Sequence, residues 1–248
     1  MNERILSVFG QLSAAFAPTG CEHERISVIS GLLSDVGVDF SVDRRGSLTA
    51  VLHGREIGAG LAFVTHIDSH GMMVTSVSEN GISFEPSADL CTDTVYGKLV
   101  TLGTADRRTE GVVCAVPLHL TSRRDALKIP DCGDMFISVG NPDVQESMAD
   151  SDDRISSESG LNSACGVNPD CCADGKHPGI SPGDYIALKP YDTVLGERLL
   201  ASASTESCGA AASMLAVLIG LSEEGFVPRR DISFIFAVGG KSAVPDAV

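Results

Sequence analysis

The sequence predicts an α/β domain that is interrupted by a β-rich module, and three features of its 248 residues support this fold class. The two ends of the chain combine helical apolar spacing with short apolar runs, which is typical of an α/β domain. A run near the C-terminus, DISFIFAV, is apolar on both faces, as buried central strands are. The middle of the chain alternates short apolar runs with turn signals, which is typical of a small barrel or sandwich.

The N-terminal segment is expected to form two helices followed by three strands. Apolar residues at helical spacing predict a helix over residues 2–16, and the Ala-Pro-Thr-Gly sequence at 17–20 ends it. A second helix is expected over residues 22–35, because its apolar residues recur at helical spacing and Gly37 follows its end. Strands are then predicted at residues 38–42, 48–52 and 61–65.

The β-rich module is expected within residues 71–140, where short apolar strands alternate with turn signals. Residues 141–182 are poor in large apolar side chains and predict a long exposed loop. The pattern returns to a strand at residues 183–188.

The C-terminal segment is predicted to return to α/β structure. A small and apolar stretch at 209–221 predicts a buried helix. Residues 231–238 predict a central strand that pairs beside residues 61–65. These patterns divide the chain into a discontinuous α/β domain and an inserted β-rich domain, formed by residues 1–69 with 189–248 and by residues 70–188 respectively.

The charge and composition exclude several classes of partner. The formal net charge of −15 argues against nucleic acid and anionic membranes, because phosphate binding needs a basic surface. The N-terminus carries charges at Glu3 and Arg4 and lacks the pattern of a signal peptide. No apolar run is expected to reach the length of a membrane span. The eight cysteines are scattered, which favours reduced thiols in a cytoplasmic protein.

A short cluster of cysteines is formed by Cys165, Cys171 and Cys172. Together with His177 they number four possible zinc ligands. Their spacing does not match the paired C-x-x-C arrangement of structural zinc sites, so reduced thiols are the favoured interpretation.

His66 and Asp68 follow the strand predicted at 61–65 and point to one face, since side chains alternate along a strand. An imidazole at a strand end is a common metal ligand, and His70 continues the same spacing. A makeshift single-metal site with Glu206 is one possibility. The alternative is a histidine that hydrogen-bonds to Asp68 without a metal, which is favoured because one imidazole does not hold a hydrated divalent cation tightly.

Five segments carry motif-like sequences. They are PTGCE at 18–22, DRRGSL at 43–48, THIDSHGMMV at 65–74, GVVCAVPLHL at 111–120 and GISPGD at 179–184. In order and spacing, apart from an insertion near 150–176, they resemble the tetrahedral (TET), or deblocking, metallo-aminopeptidases. That family includes glutamyl aminopeptidase and endoglucanase M-like proteins.

The resemblance implies an α/β metallopeptidase domain with an inserted β-rich dimerisation domain. It also implies release of N-terminal residues from peptides, two divalent metals (zinc or cobalt), and homo- or hetero-oligomers formed through the β-rich domain. Carried onto this chain, it makes His66 a metal ligand. It makes Asp68 the carboxylate that orients the imidazole of His66 from outside the ligand set.

The chain departs from the family's pattern at its other metal positions. Thr205 stands where the family has its bridging aspartate, and Glu206 is expected to point to the opposite side, as neighbours in a strand do. Gly239 and Gly240 replace a pair of glutamates, the first a proton acceptor and the second a ligand. The last aspartate and histidine ligands would lie beyond Val248. The sequence therefore predicts a truncated, degenerate site that does not support the family's mechanism.

Three interpretations of function follow from this pattern. In the first, the fold is kept, catalysis is lost or impaired, and the protein serves assembly or interaction. In the second, the protein is an active zinc or cobalt aminopeptidase whose recorded sequence is truncated or frameshifted. In the third, it binds small molecules or peptides in the old pocket. Under all three, the strand at 232–238 is expected to be only partly covered, which favours association.

Overall fold

The structure, a computed structural model, describes residues 3–78, 81–87, 90–104, 107–116, 130–139, 179–196 and 199–240. The helices in these ranges are α1 (Glu3–Ala14), α2 (His23–Asp35) and α3 (Thr205–Glu223). The first strands are β1 (Phe40–Val42), β2 (Leu48–Leu52), β3 (Leu61–His66), β4 (Gly71–Ser78), β5 (Gly81–Pro86) and β6 (Leu99–Gly103). The later strands are β7 (Arg108–Ala115), β8 (Met135–Val139), β9 (Tyr185–Leu188), β10 (Thr193–Leu195), β11 (Leu199–Ala201) and β12 (Ile232–Ala237).

The first of two units contains α1, α2, α3 and a four-stranded sheet, drawn from within Met1–Met72, Pro86–Leu90 and Ala187–Val248. The strand order is β1-β2-β12-β3, with β12 antiparallel to β2 and parallel to β3. The pairing of β12 beside β3 confirms the prediction made from its apolar pattern. The register places Ala237 opposite His66, at the carboxyl ends of both strands.

The core of this unit forms where the apolar faces of the helices meet the sheet. Its fully buried side chains come from all three helices and from two strands: Leu12, Ile29, Leu33, Leu48, Leu215, Phe234 and Phe236. Each of these large side chains contributes roughly 1.5–3 kcal/mol on burial. Phe234 of β12 also stacks on Phe63 of β3, with ring centroids 5.4 Å apart, so side chains reinforce the parallel pair.

Helix α3 has the length and apolar composition of a membrane span, which corrects the expectation that no run is long enough. The difference arises because the helix covers 19 residues, beginning at Thr205 rather than at residue 209. Its face at Cys208, Ala211, Leu215 and Leu218 is fully buried in the core. The prediction of a buried helix therefore agrees with its packing.

The second unit, drawn from within Met73–Glu85 and Cys91–Ile186, contains most of a closed barrel. Around this barrel the strand order is β4-β5-β8-β7-β6-β9. The barrel confirms the predicted β-rich module and selects a barrel over a sandwich. Gly111 of β7 permits close approach to β8, because a Cβ at that position would come within 2.7 Å of Ile137 Cγ2.

Element limits differ slightly from the predicted ones. β1 begins at Phe40 rather than at residue 38, and α1 ends at Ala14 rather than at residue 16. The β10–β11 hairpin is absent from the sequence prediction, because its strands are only three residues long and largely exposed. Most of the loop predicted at 141–182 lies outside the described residues, as do Cys165, Cys171, Cys172 and His177.

Candidate functional site

The candidate site lies at the carboxyl ends of β3 and β12. The Ile67 N–H donates to the Ala237 carbonyl across 2.9 Å, so the pairing continues past the end of β3. His66 ends β3, while Gly239 and Gly240 follow β12, and the register brings these groups together. Ligands of α/β sheets bind outside the carboxyl ends of the strands, which makes this edge the natural location of a site.

Asp68 is a fully buried carboxylate that its neighbours hold in place. Its Oδ1 accepts from the Gly240 N–H at 2.9 Å, and its Oδ2 accepts from the Thr19 hydroxyl at 2.8 Å. His66 Nδ1 lies 3.3 Å from Asp68 Oδ1, yet this buried nitrogen makes no hydrogen bond. His66 and Asp68 therefore lie close together, but the expected hydrogen bond between them is not formed in this geometry.

Glu206 presents its two carboxylate oxygens to two imidazoles. Its Oε1 lies 3.7 Å from His66 Nε2, and its Oε2 lies 3.8 Å from His70 Nε2. The expectation that Glu206 points to the opposite side is corrected, because that argument assumed a strand. Thr205 instead begins α3, and successive helical side chains are only about 100° apart. The first turn of a helix also favours a carboxylate, since the helix dipole is positive there.

Thr205, the residue that the resemblance aligns with the family's bridging aspartate, has no carboxylate. Its side chain is exposed, and its hydroxyl donates to the Ser202 carbonyl across 2.9 Å. Two cations held side by side need a bridging negative charge, which a neutral hydroxyl does not provide.

Gly239 and Gly240 are held by hydrogen bonds from their backbone N–H groups, and they supply no side chain that could act as a metal ligand. Glu22 Oε1 accepts from the Gly239 N–H at 3.1 Å and from the Gly20 N–H at 2.9 Å. Gly239 has a φ of 72°, in the left-handed region that favours glycine. A Cβ on Gly240 would lie 2.4 Å from the Cβ of His66 and 2.9 Å from its Cγ. Any side chain at position 240 therefore requires the backbone or His66 to move.

Arg25 is a buried residue that organises the chain behind the site, and sequence reasoning missed it. Its Nε donates to the Leu12 carbonyl at 2.8 Å, and its Nη2 donates to the Ala15 carbonyl at 3.3 Å. Its Nη1 donates to the Ile67 carbonyl and, at 2.9 Å, to the Ser69 hydroxyl. One guanidinium thus ties the end of α1 to the segment that carries Asp68.

Electrostatics around Arg25 explain how a buried cation is tolerated. Burial lowers the pKa of Arg25 from its usual range, while Cys208 and the carboxylates of Asp68, Glu22 and Glu24 oppose this shift. A guanidinium remains charged in proteins, so it neutralises part of the acidic surroundings. The helical spacing could have predicted that Arg25 is buried, because it lies four residues before Ile29 and therefore on the buried face of α2.

The donors present do not fit the two-metal centre that the resemblance implies. Thr205, Gly239 and Gly240 provide no charged donor, and the Gly240 backbone fills the space beside His66. Within the described ranges, no three side chains of His, Cys, Asp or Glu are already arranged around one metal position. What the site offers is one carboxylate facing two imidazoles, beside the buried Asp68.

Solved structures of aminopeptidases share this fold. A TET aminopeptidase from a marine sediment Thaumarchaeota archaeon aligns with a TM-score of 0.75 and 17% identity, covering 97% of this chain and 60% of that one. An aminopeptidase from Desulfurococcus kamchatkensis aligns with a TM-score of 0.72 and 18% identity, covering 96% and 57%. A TET peptidase from Pyrococcus horikoshii aligns with a TM-score of 0.70 and 18% identity, covering 96% and 62%. The chain thus spans about three fifths of the length of the solved structures it matches.

The sequence comparisons give one family match. No curated protein gives a significant match. The family model of the M42 glutamyl aminopeptidases, however, matches residues 46–156, a range that includes His66 and Asp68. The match covers a little under half of the chain and confirms the motif resemblance.

Proposed function

We propose that this chain is an M42-family protein that is impaired as an aminopeptidase and acts in assembly with other chains of the same fold. The observation that carries the proposal is the packing of Gly240 against His66, at the position where the family's pattern has a glutamate. Support comes from residues inside the chain, so it does not depend on where the sequence begins or ends.

Catalysis by two metals needs a bridging carboxylate and a proton acceptor for the attacking water. Thr205 supplies neither, and Gly239 and Gly240 have no side chain that could accept a proton. Catalytic zinc takes three protein ligands, and His66 alone remains of the family's ligand positions assigned in this sequence. We infer that the chain does not assemble the family's reactive centre.

An assay with a panel of aminoacyl p-nitroanilides tests this part of the proposal. The purified chain is assayed with added Zn²⁺ or Co²⁺, and release of nitroaniline no faster than in buffer is expected. A parallel His66→Ala variant serves as the control. Turnover that disappears in the His66→Ala variant would show that the family mechanism operates.

Support for the assembly role comes from exposed apolar surface in the first unit. Strand β3 is the last strand of the sheet in the order described, and its side chains are unusually open: Leu61 is 54%, Phe63 43% and Val64 61% exposed. Exposed apolar strands at a sheet edge favour pairing with another chain. The related Pyrococcus horikoshii peptidase can assemble into a tetrahedron or a large octahedral shell. We therefore propose further copies of an M42-fold chain as the partner.

Light scattering on the purified protein tests the assembly role. An oligomer is expected, and a clean monomer at micromolar concentration would contradict the proposal. Val64→Lys places a charge on β3 and should weaken association if that strand takes part. Val42→Lys is the matched control, because Val42 is similarly open, at 47%, on the other outer strand. An oligomer unaffected by Val64→Lys would place the contact on the β-rich unit, as the resemblance implies.

We also propose a cytoplasmic location and partners other than nucleic acid. In the described part of the chain, the cysteines Cys21, Cys91, Cys114, Cys132 and Cys208 are not in disulfides, which suits a reducing compartment. The net charge of −15 disfavours binding to nucleic acid. Electrophoretic mobility shift with duplex DNA at low salt, where such binding is strongest, is expected to show no complex.

A further inference from the structure

A groove between α1, α2 and α3 of the first unit, which we call the three-helix groove, has a volume of about 420 Å³. Pockets of this size bind small molecules. Each helix contributes one large apolar side chain to the groove: Val8 of α1, Leu32 of α2 and Ile219 of α3. Val8 and Ile219 are buried and Leu32 is half-buried, so the three side chains form an apolar floor.

We propose that the three-helix groove binds a small organic cation, a molecule with an apolar body and one protonated amine. The apolar body lies on the floor, where removing apolar surface from water supplies free energy of binding. The amine lies at the rim, where the charged side chains and a helix end select a positive charge. The amine thereby distinguishes this class of ligand from neutral or anionic molecules of the same shape.

Two carboxylates on the rim of the groove are available to a cation. Glu3 stands in the first turn of α1, and Asp35 is the last residue of α2. Both side chains are exposed, and neither makes a hydrogen bond or an ion pair with another described residue. A bound ammonium group therefore gains a charge-assisted hydrogen bond without breaking an existing ion pair.

Arg4 is the basic residue among the described residues that line the groove, and it is already engaged. Its Nη2 lies 2.6 Å from Glu223 Oε2, and its Nη1 is 3.5 Å from where a Cβ on Gly220 would lie. The guanidinium thus rests on the end of α3. Charged side chains around the groove comprise Glu3, Asp35 and Glu223 against Arg4, an excess of two negative charges.

The helix ends at the groove favour a cation close to Asp35. Leu32, Asp35 and Val36 lie at the carboxyl end of α2, where the helix dipole is negative. The last turn of this fully described helix contains no basic residue that would offset the dipole. The amino end of α1 is a positive pole, but Glu3 in its first turn offsets it. The potential beside Asp35 is therefore negative.

This inference does not rest on the proposed function. The groove is lined by helices, whereas the proposed association uses β3 and the proposed loss of catalysis concerns the carboxyl ends of β3 and β12. An oligomer forms or fails to form whether or not the groove holds a ligand. The two proposals therefore succeed or fail on different measurements.

Equilibrium dialysis of the full chain against 1-naphthylmethylamine tests the groove. This amine is protonated at neutral pH, and the chain contains no tryptophan, so naphthalene fluorescence measures the bound amine without a tryptophan background. We expect saturable binding of one amine per chain, weakened by added NaCl because salt screens exposed charges. The neutral alcohol 1-naphthalenemethanol has nearly the same shape and should bind more weakly.

Asp35→Asn should weaken binding of the amine by about two- to fivefold, as expected for removing one partner of an exposed ion pair. Binding of the alcohol should not change. Glu85→Gln is the matched control, because it removes one negative charge from the exposed surface of β5 in the second unit. A cation attracted only by the net charge of −15 would respond equally to both variants.

Ser7→Phe places a ring in the groove from an exposed position of α1 and should abolish binding of both the amine and the alcohol. Ser27→Phe, at an exposed position of α2 outside the groove, is its control and should bind both as the parent chain does. Circular dichroism melts check that every variant is folded. No saturable binding of the amine at millimolar concentration would overturn the proposal. Equal affinity for the amine and the alcohol, equal effects of Asp35→Asn and Glu85→Gln, or binding that survives Ser7→Phe would also overturn it.

Discussion

Gly240 lies so close to His66 that a Cβ on the glycine would approach the histidine Cβ to 2.4 Å. The Gly240 N–H simultaneously donates to Asp68 Oδ1 at 2.9 Å. The backbone after β12 is therefore packed directly onto the strand end that carries His66. This contact leaves no room for a side chain at position 240 unless the backbone or His66 moves.

Gly240→Ala should destabilise the protein by about 1–3 kcal/mol, because the added methyl overpacks the contact with His66. Urea unfolding measures the change. Gly31→Ala is the matched control: Gly31 lies inside α2 with open space where the Cβ would be, so stability should rise by roughly 0.5–1 kcal/mol. If Gly240→Ala left the free energy of unfolding unchanged, this part of the backbone would be loosely held.

Arg25→Ala should cost roughly 2–4 kcal/mol, since it leaves the buried carbonyls of Leu12, Ala15 and Ile67 without their donor. Thermal unfolding followed by circular dichroism is a suitable measurement. Arg44→Ala, in the exposed turn before β2, should stay within about 0.5 kcal/mol. If the two variants behaved alike, the proposed organising role of Arg25 would be wrong.

Cys208 should resist alkylation in the folded protein. Burial raises the pKa of its thiol above the ordinary value of 9.0, so less of the nucleophilic thiolate is present at neutral pH. Because folding keeps this thiol protonated, its contribution to the free energy of unfolding is fully present below the ordinary pKa. That contribution is lost as the pH rises through 9 and beyond. Iodoacetamide with peptide mass spectrometry is expected to label the exposed Cys91 quickly and Cys208 only after unfolding. Equal labelling rates would contradict the buried position.

Restoring the family's carboxylates should not restore a reaction. The triple variant Thr205→Asp, Gly239→Glu, Gly240→Glu must displace His66 to accommodate the new side chain at 240, so no aminopeptidase turnover is expected with Zn²⁺ or Co²⁺. The p-nitroanilide panel measures this directly. Turnover above that of the parent chain would show that the backbone adapts easily and that substitution alone caused the loss.

The sequence predicts the parts of this fold whose pattern is long and apolar. The run at β12 identifies a central strand and its neighbour β3, and the apolar faces of α1 and α2 identify the core. The site is less predictable because it depends on where one helix begins. With α3 starting at Thr205, Glu206 faces two imidazoles, whereas the strand pattern assumed from the sequence points it away. The contact between Gly240 and His66 also depends on tertiary packing, which no local pattern records.

Metal stoichiometry tests the central claim most directly. The chain with Cys165→Ser, Cys171→Ser and Cys172→Ser is equilibrated with excess Zn²⁺ at neutral pH, and the unbound ion is then removed. Elemental mass spectrometry measures the number of zinc ions that remain per chain. The donor set around His66 predicts at most one zinc per chain. Two zinc ions per chain, both lost in the His66→Ala variant, would contradict the account.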